Sequence, residues 1–298
     1  MKIARFSVDG GPIRVGKVLL DDGAADSAEG GGVVVELSGV AGVGDSVREL
    51  LPRLAQLLPS LEAVEGERIA LSAVTLHAPI DAPQKYLGIG MNYREHAAEA
   101  AAAGIPIPSS QMWFNKQVSC ISGPHDFVVR PVVSDELDYE IELGVVMGQR
   151  CRDVSEEEAR GVVAGYLVAN DVSVRDWLAK RSPTFTLGKS FDTHGPLGPW
   201  LTTADEVPDP YALHMRLTVN GEVRQDFGTG DMIYNIEQQI AYLTQVMTLE
   251  PGDILATGTP AGIGAPTQNW LVPGDVVRAE ITGLGALENT VVDAQGRA

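Results

Sequence analysis

In Asp138-Tyr139-Glu140-Ile141-Glu142-Leu143-Gly144, acids alternate with apolar side chains. Taken as a β-strand, the segment puts Asp138, Glu140 and Glu142 on one face and Tyr139, Ile141 and Leu143 on the other. Like charges along one face repel, and burying any of them without a partner is costly. Such a face either lies in water on an edge strand or closes on a cation. The second arrangement is an oxygen-ligand site suited to Mg²⁺ or Mn²⁺. A further carboxylate comes from Gly165-Tyr166-Leu167-Val168-Ala169-Asn170-Asp171, an apolar strand ending abruptly in Asn-Asp. Asp171 is there either a turn or cap residue, or a third ligand that leaves positions open for water and substrate.

Other segments could do proton or anion chemistry. His96, in Asn92-Tyr93-Arg94-Glu95-His96, starts an expected helix after a strand. Its imidazole suits proton transfer near neutrality, or it is simply an exposed helical side chain. Arg175, Lys189 and Lys116 offer counter-charge for a substrate carboxylate or ordinary ion pairs for the acid excess. Thr257-Gly258-Thr259-Pro260-Ala261-Gly262-Ile263-Gly264 is a glycine-rich loop whose N–H groups and Thr259 hydroxyl could hold carboxylate or carbonyl oxygens, unless it is only a wide turn. His194 is a secondary candidate. Neither GxGxxG nor a Walker loop occurs, so nucleotide binding has no support.

The elements that must position these groups are mostly strands. Expected strands cover Ile3 to Val8, Arg14 to Leu20, Val33 to Leu37, Lys85 to Ile89, Met112 to Asn115, Phe127 to Arg130, Tyr139 to Met147, Gly165 to Ala169 and Leu213 to Val219. Two Pro-Gly-Asp turns, at Pro251 and Pro273, each launch another. Ser46-Val47-Arg48-Glu49 fits a capping box ahead of a leucine-rich helix that Pro59 kinks or ends. Further helices are expected over Arg94 to Ala103, Ser155 to Val163 and Asn235 to Thr248. Asp21-Asp22-Gly23 begins a loop rich in Ala, Gly and acid, the Gly104 to Ser110 loop is expected to be flexible, and the Ala100 to Gln111 segment suits a mobile lid. His77 to Pro83 is the best linker, which divides the chain into a small N-terminal unit (1–80) and a larger one (81–298). The whole is a strand-rich α+β protein without the regular alternation of a doubly wound sheet.

The 298 residues suffice for one large or two modest domains. With 22 Lys and Arg against 40 Asp and Glu, the net charge of -18 argues against nucleic acid or anionic membrane as partners. Two cysteines, Cys120 and Cys151, without a CxxC suit a reducing cytoplasm and give no support for structural zinc. The first residues lack the apolar core of a signal peptide, and no window reaches membrane-spanning length. A cytoplasmic location is expected.

Six motifs in one order then resemble the fumarylacetoacetate hydrolase superfamily, in its bacterial two-domain branch. They are Asn92-Tyr93-x-x-His96, Asp138-Tyr139-Glu140-x-Glu142-Leu143-Gly144, Asn170-Asp171-Val172-Ser173-x-Arg175-Asp176, Lys189-Ser190-Phe191-Asp192, Gly221-Glu222-x-Arg224-Gln225 and Gly258-Thr259-Pro260-x-Gly262. The resemblance runs from about Lys85 to Val292. It implies a mixed β-roll catalytic domain behind a small N-terminal α/β module, a homodimer, and Mg²⁺ or Mn²⁺ held by Glu140, Glu142 and Asp171. It makes His96 the base that activates water and sets Arg175, Lys189, Thr259 and Tyr93 against substrate, with Lys189 and Arg175 also offsetting developing charge. The implied activity is C–C hydrolysis of an acylpyruvate or β-diketo acid. The alternative is decarboxylation, keto-enol isomerisation or dehydration of a 2-oxo acid at the same metal, and an idle small-anion binder is a third reading. Two positions depart from the pattern: Ser110 where hydrolytic members carry Glu, and Leu178 where many carry Gln. Glu95 or Glu99 is then needed to assist His96.

Overall fold

Three long strands, Ile141–Met147, Val163–Asn170 and Gly195–Thr203, are buried at every position, because apolar side chains cover both of their faces. Val276–Ile281 instead alternates buried and half-buried positions, as a strand with one solvated face does. The computed structural model describes residues 1–21, 31–40, 42–102, 104–182 and 184–294. The expected acidic loop from Asp22 onward and the last residue of the expected helix, Ala103, lie outside the described residues.

Twelve of the described strands form one mixed sheet. From one edge to the other its main path runs Arg68–Ala70, Gly32–Glu36, Arg14–Leu20, Lys2–Ser7, Gly195–Thr203, Val163–Asn170, Ile141–Met147, Ile254–Ala256, Tyr86–Gly90 and Met112–Lys116. Lys2 and Ile3 pair with Thr202 and Leu201, so residues on either side of position 80 share one ladder. One core cluster likewise joins Met1, Ile3 and Leu50 to Val146, Ala164 and Leu201. A second sheet orders Glu222–Gly228, His214–Val219, Val276–Ile281, Gly285–Asp293 and Val128–Arg130. The largest core cluster joins its inner residues, such as Leu217, Ala279 and Leu287, to Leu143, Val145 and Val168 of the large sheet. Helices are few, and none among the described residues is long and apolar enough to cross a membrane. The architecture is strand-rich α+β, as expected.

Local differences have physical causes. Ser46 makes no capping bond; its hydroxyl donates to the Asp81 carboxylate at 3.0 Å, and the helix behind it is broken by the 3-10 turn Leu51–Arg53 around Pro52. Pro59 stands inside the helix Leu54–Glu62 rather than ending it. The reciprocal capping boxes are at Ser155 with Glu158 and Asn235 with Gln238. Gly195–Thr203 carries Pro196 and Pro199, residues that argue against a central strand, and its register against Val163–Asn170 shifts between Tyr166 and Val168.

Candidate active site

Four chain segments meet where Ile141–Met147 begins. Antiparallel pairing sets Ile141 opposite Asn170, so the start of one strand adjoins the end of the other. The junction is tied by Glu140 N–H donating to Asn170 Oδ1 at 3.0 Å and Asp171 N–H donating to the Glu140 carbonyl at 2.8 Å. Ile254–Ala256 runs antiparallel to Ile141–Met147, and its exit folds back along the same start. There the Thr257 and Thr259 hydroxyls donate to the Leu143 and Ile141 carbonyls at 2.9 and 2.8 Å, and Gly258 N–H donates to the Glu142 carboxylate at 2.8 Å. Tyr86–Gly90 lies parallel to Ile254–Ala256 and leaves on the same side. It turns at Met91, φ 53°, into the helix Arg94–Ala102. Buried Asn92 locks the two exits, donating to the Thr257 carbonyl at 2.8 Å. A Cβ at Gly258, whose φ is 96°, would come within 2.8 Å of the Asn92 Cβ, so only glycine suits the crossing.

Three carboxylates converge there. Ligand oxygens of Glu140, Glu142 and Asp171 all lie within 4.8 Å of one another, and all three side chains are buried. Lys189 Nζ reaches Glu140 and Asp171 at 2.7 Å each, Lys116 Nζ reaches Asp171, and Arg175 Nη2 reaches Glu140 at 2.6 Å. Burial alone would raise the Glu140 pKa, but the Lys189 and Arg175 charges overcome it and hold the carboxyl at about 2. Glu142 has no ion pair among the described residues. Burial, then the charges of Asp171 and Glu140, push its carboxyl well above the usual range. The cluster thus retains an uncompensated acid that either keeps a proton or faces a further cation. An all-oxygen, buried donor set of this charge fits Mg²⁺ or Mn²⁺ and offers nothing to a thiophilic metal.

Beside the cluster lies a cavity of about 440 Å³, lined by Glu140, Arg175, Lys189, Thr259, His96 and Glu99 together with an apolar wall. The Glu99 carboxylate, one helical turn onward, stands 3.2 Å from His96 Nδ1. The Glu95 backbone instead binds Asp231, and the Glu95 side chain faces solvent.

Not every candidate reaches this cavity. Tyr93 points inward, fully buried, its hydroxyl 3.8 Å from Met215 Sδ. Asp138 leaves the face of Glu140 and Glu142 because the strand is interrupted at Tyr139 and Glu140. Its carboxylate pairs with Arg175 at 2.8 Å and accepts from Gly264 and Ala265 N–H. Lys116 is buried against Asp171 and the His194 carbonyl, and His194 is buried with Nε2 against the Val129 carbonyl. Gln225, fully buried, accepts from Ile141 N–H at 3.0 Å and donates to Thr259 Oγ1 and the Pro260 carbonyl at 2.9 Å each. Its only signal is its place in Gly221-Glu222-x-Arg224-Gln225.

Comparison with known proteins finds relatives both in sequence and in fold. A relative from Burkholderia cenocepacia (strain HI2424), whose name goes no further than hydrolase, is 47% identical over 214 residues, 71% of this chain and 75% of its own. The structure of maleylpyruvate hydrolase from Sphingobium sp. SYK-6 superposes with a TM-score of 0.81 at 35% identity, covering 99% of this chain and 100% of that one. The same enzyme has been seen in complex with manganese(II) ion and pyruvate, at a TM-score of 0.80, 35% identity and coverage of 98% and 99%. A 2-hydroxyhepta-2,4-diene-1,7-dioate isomerase from Mycobacterium marinum superposes with a TM-score of 0.77 at 30% identity over 99% of each chain. The C-terminal fumarylacetoacetate (FAA) hydrolase model matches residues 85–292, the stretch that supplies every group gathered at the cavity, and the chain therefore belongs to the fumarylacetoacetate hydrolase family.

Proposed function

We propose that this protein is a Mg²⁺- or Mn²⁺-dependent hydrolase that cleaves a C–C bond in an acylpyruvate or related β-diketo acid. The observation that carries the reading is the His96–Glu99 pair on the wall of the cavity that Glu140, Arg175, Lys189 and Thr259 also line. Glu140, Glu142 and Asp171 would hold the ion, which when bound supplies positive charge to polarise the 2-oxo acid head. Lys189 and Arg175 add fixed cations beside Glu140, in low-dielectric surroundings where they act strongly on developing negative charge. The Thr259 hydroxyl gives its hydrogen to the Ile141 carbonyl, so it presents a lone pair rather than a proton to substrate. The Glu99 carboxylate at Nδ1 orients the His96 ring with its proton there, leaving Nε2 to take a proton from water. Water then adds to the distal carbonyl carbon. The bond to the pyruvate methylene breaks, a proton returns to that carbon, and pyruvate and a carboxylic acid leave. The manganese(II) and pyruvate complex of the Sphingobium enzyme supports the same head group here.

The test is turnover of acetylpyruvate with Mn²⁺ in wild type, His96→Ala and Glu99→Gln. We expect His96→Ala to lower kcat by roughly 10²–10⁴ with metal affinity unchanged. Equal rates in wild type and His96→Ala would remove the pair from the mechanism. A second reading, isomerisation or decarboxylation of a 2-oxo acid, is favoured by the likeness to the Mycobacterium isomerase. Product identification separates the two, because only hydrolysis releases pyruvate and a second acid from acetylpyruvate. The reading also takes the protein as a homodimer. Phe127, 59% exposed next to the edge strand Val128–Arg130, supports a covered face, and sedimentation at twice the chain mass is expected.

A further inference from the structure

Three cations line the cavity, and each already faces a carboxylate. Arg175 meets Asp138 and Glu140, Lys189 meets Glu140 and Asp171, and Lys180 meets Glu136 at 2.8 Å. Lys180 is also 68% exposed, so water screens what charge it offers. Glu99 and Glu136 are acids on the same wall. An aromatic pair flanks the ammonium group that meets the carboxylates. Lys189 Nζ lies 5.2 Å from the Phe114 ring centre, and Phe185 packs on Phe114 with ring centres 5.7 Å apart. Leu178 presses on Gly188, where a Cβ would meet its Cδ2 at 2.4 Å. Ile105 lines the cavity while 48% exposed, an apolar side chain left half in water that the described residues do not cover fully.

We propose that the far end of the substrate is uncharged and apolar, an alkyl or aryl acyl group, with Leu178, Phe185 and Ile105 as specificity-determining side chains. A second carboxylate would lose its water against this wall, meet no unengaged cation among the described lining residues and be repelled by Glu99 and Glu136. An apolar tail instead covers Ile105 and Phe185 and loses nothing. This inference rests on the 2-oxo acid reading above, so the experiment separates head from tail.

With Mn²⁺-loaded protein, oxalate binding reports the head alone. Binding of 4-methyl-2-oxopentanoate against 2-oxoglutarate, which are of similar size, reports the tail. We expect oxalate to bind, and 4-methyl-2-oxopentanoate to bind at least roughly tenfold tighter than 2-oxoglutarate. Ile105→Arg, at a position exposed enough to leave folding intact, and Leu178→Arg are expected to narrow or reverse that ratio. Equal or tighter binding of 2-oxoglutarate to the wild type, with oxalate still bound, overturns the apolar tail alone. If oxalate and both 2-oxo acids fail to bind, the 2-oxo acid reading falls and this inference with it. A ratio unchanged in two folded arginine variants overturns the roles of Ile105 and Leu178.

Discussion

Glu142 differs from its neighbours in having a backbone N–H but no cation for a partner. Its carboxyl is raised by burial and by the charges of Asp171 and Glu140, and the sign of that shift sets a pH dependence. A carboxyl whose folded pKa lies above its unfolded value contributes stability below the unfolded pKa, and that contribution is lost as pH rises through the folded pKa. Metal-free wild type is therefore expected to lose stability relative to Glu142→Gln as pH rises from about 4.5 to 8. Thermal unfolding of both proteins across that range checks this, and a difference in Tm that is flat with pH would contradict it. Excess Mn²⁺ should stabilise the wild type and leave Glu142→Gln nearly unmoved, because the ion binds only the folded cluster. His194 acts in the opposite sense. Burial depresses its pKa to about 3, so its contribution is present above the ordinary histidine pKa and is lost as pH falls toward 3.

At the scale of elements, Gln225 holds two site segments together, since Ile141 and Thr259 both depend on its amide. Gln225→Ala leaves a buried N–H and loosens a buried loop, and should destabilise by about 1–3 kcal/mol in denaturant unfolding. A loss under about 0.5 kcal/mol would mean that the loop holds itself. Its neighbour Gly262 adds a steric requirement, because a Cβ there would lie 2.1 Å from the Arg224 carbonyl oxygen. At the other end of the chain, Glu49→Ala should change stability by less than about 0.5 kcal/mol, because Ser46 bonds Asp81 rather than closing a capping box. These residues mark where sequence reading stops. Glu140, Glu142 and Asp171 could be grouped in advance because alternation and an abrupt strand end are local patterns. Gln225 could not, since its partner Ile141 is 84 residues away and glutamine carries no chemical signal. Asp138 leaves the expected face for a related reason. Strict alternation assumes an unbroken strand, and Asn170 and Gln225 side chains replace the ladder at Glu140 and Ile141. Gly195–Thr203 was unreadable because its prolines signal a turn while burial on both faces decides the strand.

On the scale of the whole molecule, the large sheet runs from the N-terminal strands through to those that carry the cluster. Removing residues 1–84 would strip Lys2–Ser7 from Gly195–Thr203 and uncover Leu201 and Val146, which pack in one cluster with Ile3 and Leu50. The remaining chain is expected to be insoluble or unfolded by circular dichroism, and a cooperative unfolding transition from it would contradict that expectation. The same sheet brings four distant segments, near positions 92, 140, 171 and 258, to one strand end, with an apolar cavity beside them. That arrangement is the fold, whereas the proposed reaction rests on the chemistry of the cavity wall. The most direct measurement is pyruvate release from acetylpyruvate by metal-stripped protein titrated with Mn²⁺. Turnover should rise from background and saturate at one ion per chain in wild type, and stay at background in Glu142→Gln. Pyruvate release that is absent at every Mn²⁺ concentration, or identical in the two proteins, would contradict the account.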